Sequence, residues 1–156
     1  MGVEAAGSGQ DATERRSVVR RRHREARLIA IRRHARGSSP YEAEYGFARA
    51  VRVGERIFIA GTAPVEADGS STPGDADTQA RRCFAIIVRA IEDLGGSIEN
   101  IVRTRMLITN AADADAVGAV HGELFRDIRP AATMVVVAAL LRPEWLVEIE
   151  AEAVVV

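Results

Sequence analysis

The chain contains no lysine, and its 21 basic residues are all arginines. Schiff-base chemistry, pyridoxal phosphate attachment and the P-loop lysine all need an ε-amino group, so the absence excludes them together. Cysteine is almost as scarce. The single thiol, Cys83, excludes an intramolecular disulfide and a cysteine-clustered metal site. Of the three histidines, His23, His34 and His121, no two stand at the i, i+4 spacing of a helical zinc pair. The expectation is a protein with neither metal nor cofactor. No apolar run approaches the roughly 20 residues of a membrane-spanning helix, and the N-terminal segment lacks the apolar stretch of a secretory signal. This predicts a soluble, cytoplasmic protein with no membrane partner.

What the chain does have is enough apolar residues for one domain. At 156 residues and 47% hydrophobic content it can form one well-cored unit, but not two. Its net charge of −1 hides an asymmetry. Residues 1–40 carry ten arginines against four acids, or +6; residues 41–156 carry eleven against eighteen, or −7. Residues 1–13 are small and polar, and the cluster Arg20-Arg21-Arg22-His23-Arg24 follows. Residues 1–27 therefore read as a basic, disordered arm, and residues 28–156 as the folded domain. The arm is open to two readings. It is either a solvated tail, including one added by an upstream start codon, or an arm for nucleic acid or another anionic surface.

Along the domain, residues 28–31 form a short apolar strand candidate. Residues 47–53 and 56–61, separated by Gly54-Glu55, read as a hairpin. A loop follows over 65–74. Ala80, Cys83, Phe84, Ile87, Ala90, Ile91 and Leu94 then repeat at helical spacing. Asp75 or Asp77 is placed to cap this helix, and Gly95-Gly96 to stop it. Residues 101–109 alternate as a strand. Residues 113–125 form a second helix with Val117, Val120, Leu124 and Phe125 on one face, and strands follow at 133–141 and 146–155. This order predicts an α+β sandwich, one sheet backed by two helices.

Two strands carry charge on one face. Period-2 geometry puts Val102, Thr104, Met106 and Ile108 together, with Arg103 and Arg105 opposite. In the last strand Val147, Ile149, Ala151 and Ala153 share a face, and Glu148, Glu150 and Glu152 take the other. The charged faces must meet water, each other or another subunit. The pattern fits a solvated face with cross-strand ion pairs as well as it fits a polar cleft between subunits.

Several short motifs together resemble the Rid/YjgF family, the reactive intermediate deaminases also called L-PSP endoribonucleases. They are Gly61-Thr62, Gln79-Ala80-Arg81, Val102-Arg103-Thr104, Pro130-Ala131 and Leu146-Val147-Glu148-Ile149-Glu150-Ala151. The resemblance covers residues 28–156. It implies a chorismate-mutase-like fold, a mixed sheet with two helices on one face, and a homotrimer whose sheets form a central barrel. Small-molecule clefts would lie at the subunit interfaces. It further implies that Glu148 orients or activates the attacking water in imine or enamine hydrolysis, and that the Met134 N–H donates to the ligand.

The family's deaminases carry an arginine directly after Pro-Ala to hold the substrate carboxylate, and this chain has Ala132 there. The resemblance therefore does not imply an ordinary 2-iminopropionate deaminase. Arg103 or Arg105 is a candidate to replace that guanidinium. His121, at the edge of its helix's apolar face, is either a packed ring or a site residue. Trp145, Tyr41 and Phe47 are candidates for an apolar cleft wall. The alternatives are a non-catalytic trimer that binds a metabolite for regulation, and an endoribonuclease. Only the arginine arm favours the latter, so nucleic acid is an expected partner only through that arm.

Overall fold

The computed structural model describes residues 17–19, 32–39 and 41–156. The chain divides into two units, Met1–Arg32 and Arg33–Val156. Residues 17–19 are helical. The rest of the expected arm, and the strand expected at 28–31, lie outside the described residues.

Six strands form one sheet: β1 (Arg32–Ala35), β2 (Ala50–Val53), β3 (Arg56–Thr62), β4 (Ile101–Ile108), β5 (Ala131–Val136) and β6 (Val147–Val154). Their order is β1-β2-β3-β6-β4-β5. β4 and β5 run parallel, whereas β2/β3, β3/β6 and β4/β6 are antiparallel, so the sheet is mixed. It stays open, with β1 and β5 at its edges. Among the described residues beyond the short helical stretch at 17–19, the α-helices are α1 (Tyr41–Tyr45), α2 (Ala76–Asp93) and α3 (Ala114–Phe125).

α2 forms where the apolar repeat predicts it. The Asp75 side chain accepts from the Thr78 N–H at 3.0 Å, which satisfies one of the free donors of the first turn. At the other end Gly95 takes φ 81°. Its N–H reaches the Glu92 carbonyl at 2.9 Å, and the Gly96 N–H reaches Ile91 at 3.0 Å. That double bond closes a helix whose next residue must be left-handed, a conformation cheap only for glycine. Phe84, Ile87 and Ile91 of α2 and Val117, Val120 and Phe125 of α3 bury against Ile57, Ile59, Met106, Ile108, Val147 and Ile149 of the sheet. Each such side chain contributes about 1.5–3 kcal/mol on leaving water.

The expected hairpin is present, with Val53 paired to Arg56 across Gly54-Glu55. Four details differ from the sequence reading. β1 and α1 are additional elements. The sequence of β1, Arg-Arg-His-Ala, buries only Ala35 and so carries no apolar alternation, while α1 is too short to show a helical period. β5 stops at Val136 rather than 141, because Val136 pairs with Ile108, the last residue of β4, and the ladder has no further partner. Val102 is not on the core face. The β4/β6 register shifts between Ile101 and Arg103, so Ile101 takes the buried place and Val102 is 45% exposed. A bulge breaks the strict alternation on which the expectation rested.

Candidate functional site

A second bulge sets the site. β3 pairs Ile59 with Ala151 and Thr62 with Ile149, which leaves one extra residue on β3 at Ala60–Gly61. The carbonyls displaced by this extra residue converge on one side chain. Arg49 donates from Nη1 to the Gly61 carbonyl at 2.6 Å, to the Ala60 carbonyl at 3.3 Å and to Thr62 Oγ1 at 2.8 Å. Thr62 is buried, and its hydroxyl donates in turn to the Ala60 carbonyl at 2.8 Å.

Glu148, on β6, lies against the same bulge. Its carboxylate stands in the space that a β-carbon on Gly61 would occupy. Half-buried there, Glu148 holds its proton more tightly than an ordinary carboxylate. Burial is the main cause; the nearby Arg49 opposes the shift, and Glu150 reinforces it. Burial likewise lowers the proton affinity of Arg49, against the pull of Glu42 and Glu148. Both shifts follow burial because the two groups are close enough to feel each other but make no direct ion pair. Glu42, from α1, accepts instead from the Gly37 N–H at 2.8 Å.

Arg103 and Arg105 do not reach for Glu148. Arg105 is opposite Glu150 and bonds it at 2.9 Å, while Arg103 lies 3.7 Å from Glu152. These four side chains, with Phe58, Ile59 and Ala151, line a shallow concavity of about 190 Å3. Leu107 is the residue opposite Glu148 on β4.

Ala132 and Met134 are on β5, two strands away from β6 across β4. Leu107 aligns with both Glu148 and Val135, and Thr104 with Ala132. With strands about 4.8 Å apart and a rise of about 3.3 Å per residue, Ala132 lies roughly 14 Å from Glu148 and Met134 roughly 10 Å within one protomer. Val137 donates its N–H to Ile108 at 2.9 Å, toward β4. Extended backbone alternates its N–H groups, so Met134, three residues earlier, aims its N–H off the open edge.

His121 sits on the other side of the sheet. Its Nε2 is 2.9 Å from the hydroxyl of Thr104, a fully buried core-face residue, and its ring packs on Phe84 and Phe125. The protein therefore does not bring His121 to Glu148; burial among apolar groups lowers its proton affinity. Trp145 is buried, with Nε1 donating to Ser71 Oγ at 2.9 Å and the Arg142 guanidinium 5.2 Å over its ring. It fastens the 65–74 loop to the chain entering β6. Tyr41 and Phe47 are exposed, and Tyr41 stacks on Tyr45 at 5.3 Å. Cys83 is buried on α2, and burial raises its thiol pKa.

Sequence reasoning missed Arg49. Its only signal was an arginine within the strand-like run 47–53, which also holds Arg52, shortly before the Gly61-Thr62 motif. Nothing local says that its partners are the carbonyls of a bulge. Among the described residues no group of three or more histidine, cysteine, aspartate or glutamate side chains is placed to hold a metal, and no helix is long and apolar enough to cross a membrane.

The model of the endoribonuclease L-PSP family matches residues 37–155. An uncharacterized protein of Streptomyces coelicolor is 41% identical over 124 residues, which is 80% of this chain and 92% of that protein. The crystal structure of a Mycobacterium tuberculosis member of the YjgF/YER057c/UK114 family superposes with a TM-score of 0.73 at 36% identity, covering 80% of this chain and 99% of the other. The YjgF gene product of E. coli gives a TM-score of 0.69 at 26% identity, over 78% and 98%.

Proposed function

The chain belongs to the endoribonuclease L-PSP family, that of the YjgF and Rid proteins, and from that premise we propose that it is a trimeric small-molecule hydrolase acting on an imine, enamine or related carbonyl derivative at Glu148. One observation carries the reading. Glu148 is a half-buried carboxylate of raised proton affinity, pressed against a glycine and, among the described residues, in no direct ion pair. Such a group suits general acid–base work better than an ordinary surface carboxylate. In the reaction Glu148 takes a proton from water as the oxygen bonds to the imine carbon. It passes that proton to nitrogen, giving a carbinolamine, then takes the hydroxyl proton and delivers it to nitrogen as the C–N bond breaks and C=O forms, leaving a carbonyl compound and ammonia.

The trimer is part of the proposal. β5 is an edge strand with Val135 and Val136 44% and 55% exposed, and an unpaired apolar edge is a template for another chain. Position 132 and the Met134 N–H are too far from Glu148 to act with it in one protomer, so in this reading they meet Glu148 of a neighbouring copy. Light scattering coupled to size exclusion should return three chain masses; the mass of one chain refutes the assembly.

Ammonia release from a panel of imines generated in situ, with and without an α-carboxylate, tests the chemistry. Glu148→Gln should lower turnover by about 100-fold or more. Turnover that survives this change refutes the role of Glu148. Ala132 favours a second reading, since its methyl group cannot hold a substrate anion: a trimer that binds a metabolite without turning it over. Saturable binding with no ammonia from any imine in the panel would establish that reading instead. Cleavage of RNA is less favoured, because residues 41–156 carry a charge of −7.

A further inference from the structure

Arg49 clamps the bulge with its backbone and its side chain together. Its carbonyl accepts from the Ala60 N–H at 3.0 Å, and its Nη1 donates to the Gly61 and Ala60 carbonyls and to Thr62 Oγ1. An extra residue in a strand leaves backbone groups outside the ladder, and carbonyls left there without partners are costly. One guanidinium nitrogen takes both. The place of Gly61 in turn decides where the Glu148 carboxylate lies, because that carboxylate fills the space over Gly61.

The other side of the guanidinium is closed. Arg49 Nε and Glu42 Oε1 both border the space over Gly37, and Glu42 holds the Gly37 N–H through both oxygens, at 2.8 and 3.0 Å. Arg49 is thus enclosed between α1 and the bulge, and two carboxylates, Glu42 and Glu148, draw on its one charge. The other groups that face Glu148 supply no free cation. Glu150 of β6 is paired with Arg105 of β4, and burial keeps the Cys83 thiol of α2 protonated. β4 places Leu107 opposite, and β3 presents Gly61 and Thr62.

We propose that Arg49 is the positioning residue of Glu148, fixing its carboxylate through the Ala60–Thr62 bulge, and that Glu42 of α1 tunes the site by sharing the Arg49 charge. The inference rests on the reading of Glu148 as the hydrolytic group, and adds how that group is held and what regulates it. Neither Arg49 nor Glu42 touches the substrate in this assignment. A general base must be ionised to take a proton from water, so the acid limb of turnover follows the Glu148 titration. Removing the Glu42 charge leaves Arg49 to Glu148 alone and takes away a nearby negative charge. Both effects favour the ionised Glu148.

The full chain labelled with 13C at the glutamate δ-carbons tests this, the Glu148 resonance being assigned by its absence in Glu148→Gln. In Glu42→Gln the Glu148 resonance should titrate at lower pH than in wild type, and the acid limb of turnover of an uncharged imine should move with it. In Arg49→Met the resonance should titrate at higher pH. There kcat should fall about 10-fold or more, while KM changes by less than about 3-fold. A merely structural role would lower the melting temperature and move neither the titration nor the limb. If Arg49→Met does not fold, Glu42→Gln decides alone, since glutamine still offers an oxygen to the Gly37 N–H. A Glu148 resonance that titrates in Glu42→Gln as in wild type overturns the proposal. So does a folded Arg49→Met that titrates and turns over like wild type. The hydrolase reading fails separately, if Glu148→Gln leaves turnover intact, and the resonance measurements do not depend on it.

Discussion

The carboxylate of Glu148 fills the volume that a β-carbon on Gly61 would need. The present place of the Glu148 carboxylate thus depends on a glycine opposite it, at the bulge that brings Gly61 level with β6. The contact is with the far end of a flexible side chain, so an added methyl group can be accommodated if the carboxylate moves.

Gly61→Ala should therefore cost little stability, about 1 kcal/mol or less, yet reduce any Glu148-dependent turnover by more than about 10-fold. The stability change should disappear when Gly61→Ala is made in a Glu148→Ala background. Urea denaturation of the four proteins in the cycle gives the coupling. Independent, additive effects would show that the two residues do not share the space.

Glu148 also makes stability depend on pH in a defined direction. Its folded pKa is raised, so the folded state binds the proton more tightly than the unfolded chain. The associated stability is fully present below the unfolded value of 4.5 and is lost as pH rises through the folded value. Glu148→Gln should melt higher than wild type at pH 8, and the gap should narrow toward pH 4. A gap that widens on acidification would contradict burial as the cause.

His121 works in the opposite sense. Burial lowers its pKa from 6.5, so the unfolded chain takes the proton first. Stability falls as pH drops below about 6.5, and continues to fall until the folded value is passed. Melting temperatures between pH 7.5 and 5 should decline for wild type, and less steeply for His121→Gln. The same variant should leave imine turnover within a few-fold, because His121 lies on the far side of the sheet from Glu148. A loss of turnover comparable to that of Glu148→Gln would contradict this placement.

Gln79 is buried and makes three hydrogen bonds. Its Nε2 donates to the Thr72 and Glu144 carbonyls at 3.0 and 2.9 Å, and its Oε1 accepts from the Leu146 N–H at 2.8 Å. It ties the loop before α2 to the chain entering β6. Gln79→Leu has nearly the same size but leaves those three backbone groups without partners, at a cost of about 3 kcal/mol. The urea midpoint should fall with an unchanged m-value. A shift under about 1 kcal/mol would mean that water replaces the amide.

The sequence by itself determined α2 and the apolar half of β6. Ala80 to Leu94 repeat at helical spacing between Asp75 and Gly95, and Val147 to Ala153 alternate strictly, so local period and capping chemistry were sufficient. The hairpin at Gly54-Glu55, the second helix and the mixed α+β class followed from the same signals. Tertiary structure decided what depends on register. Val102 left the core because of a bulge in β4, and β5 ended where β4 ran out of partners. Arg103 and Arg105 went to Glu152 and Glu150 because those residues stand opposite them in the ladder. His121 went to the core through Thr104. Arg49 met the Gly61 carbonyl only because β3 gains one residue there. Side-chain period is written within a segment, whereas a bulge is a relation between two strands, and no spacing along one of them encodes it.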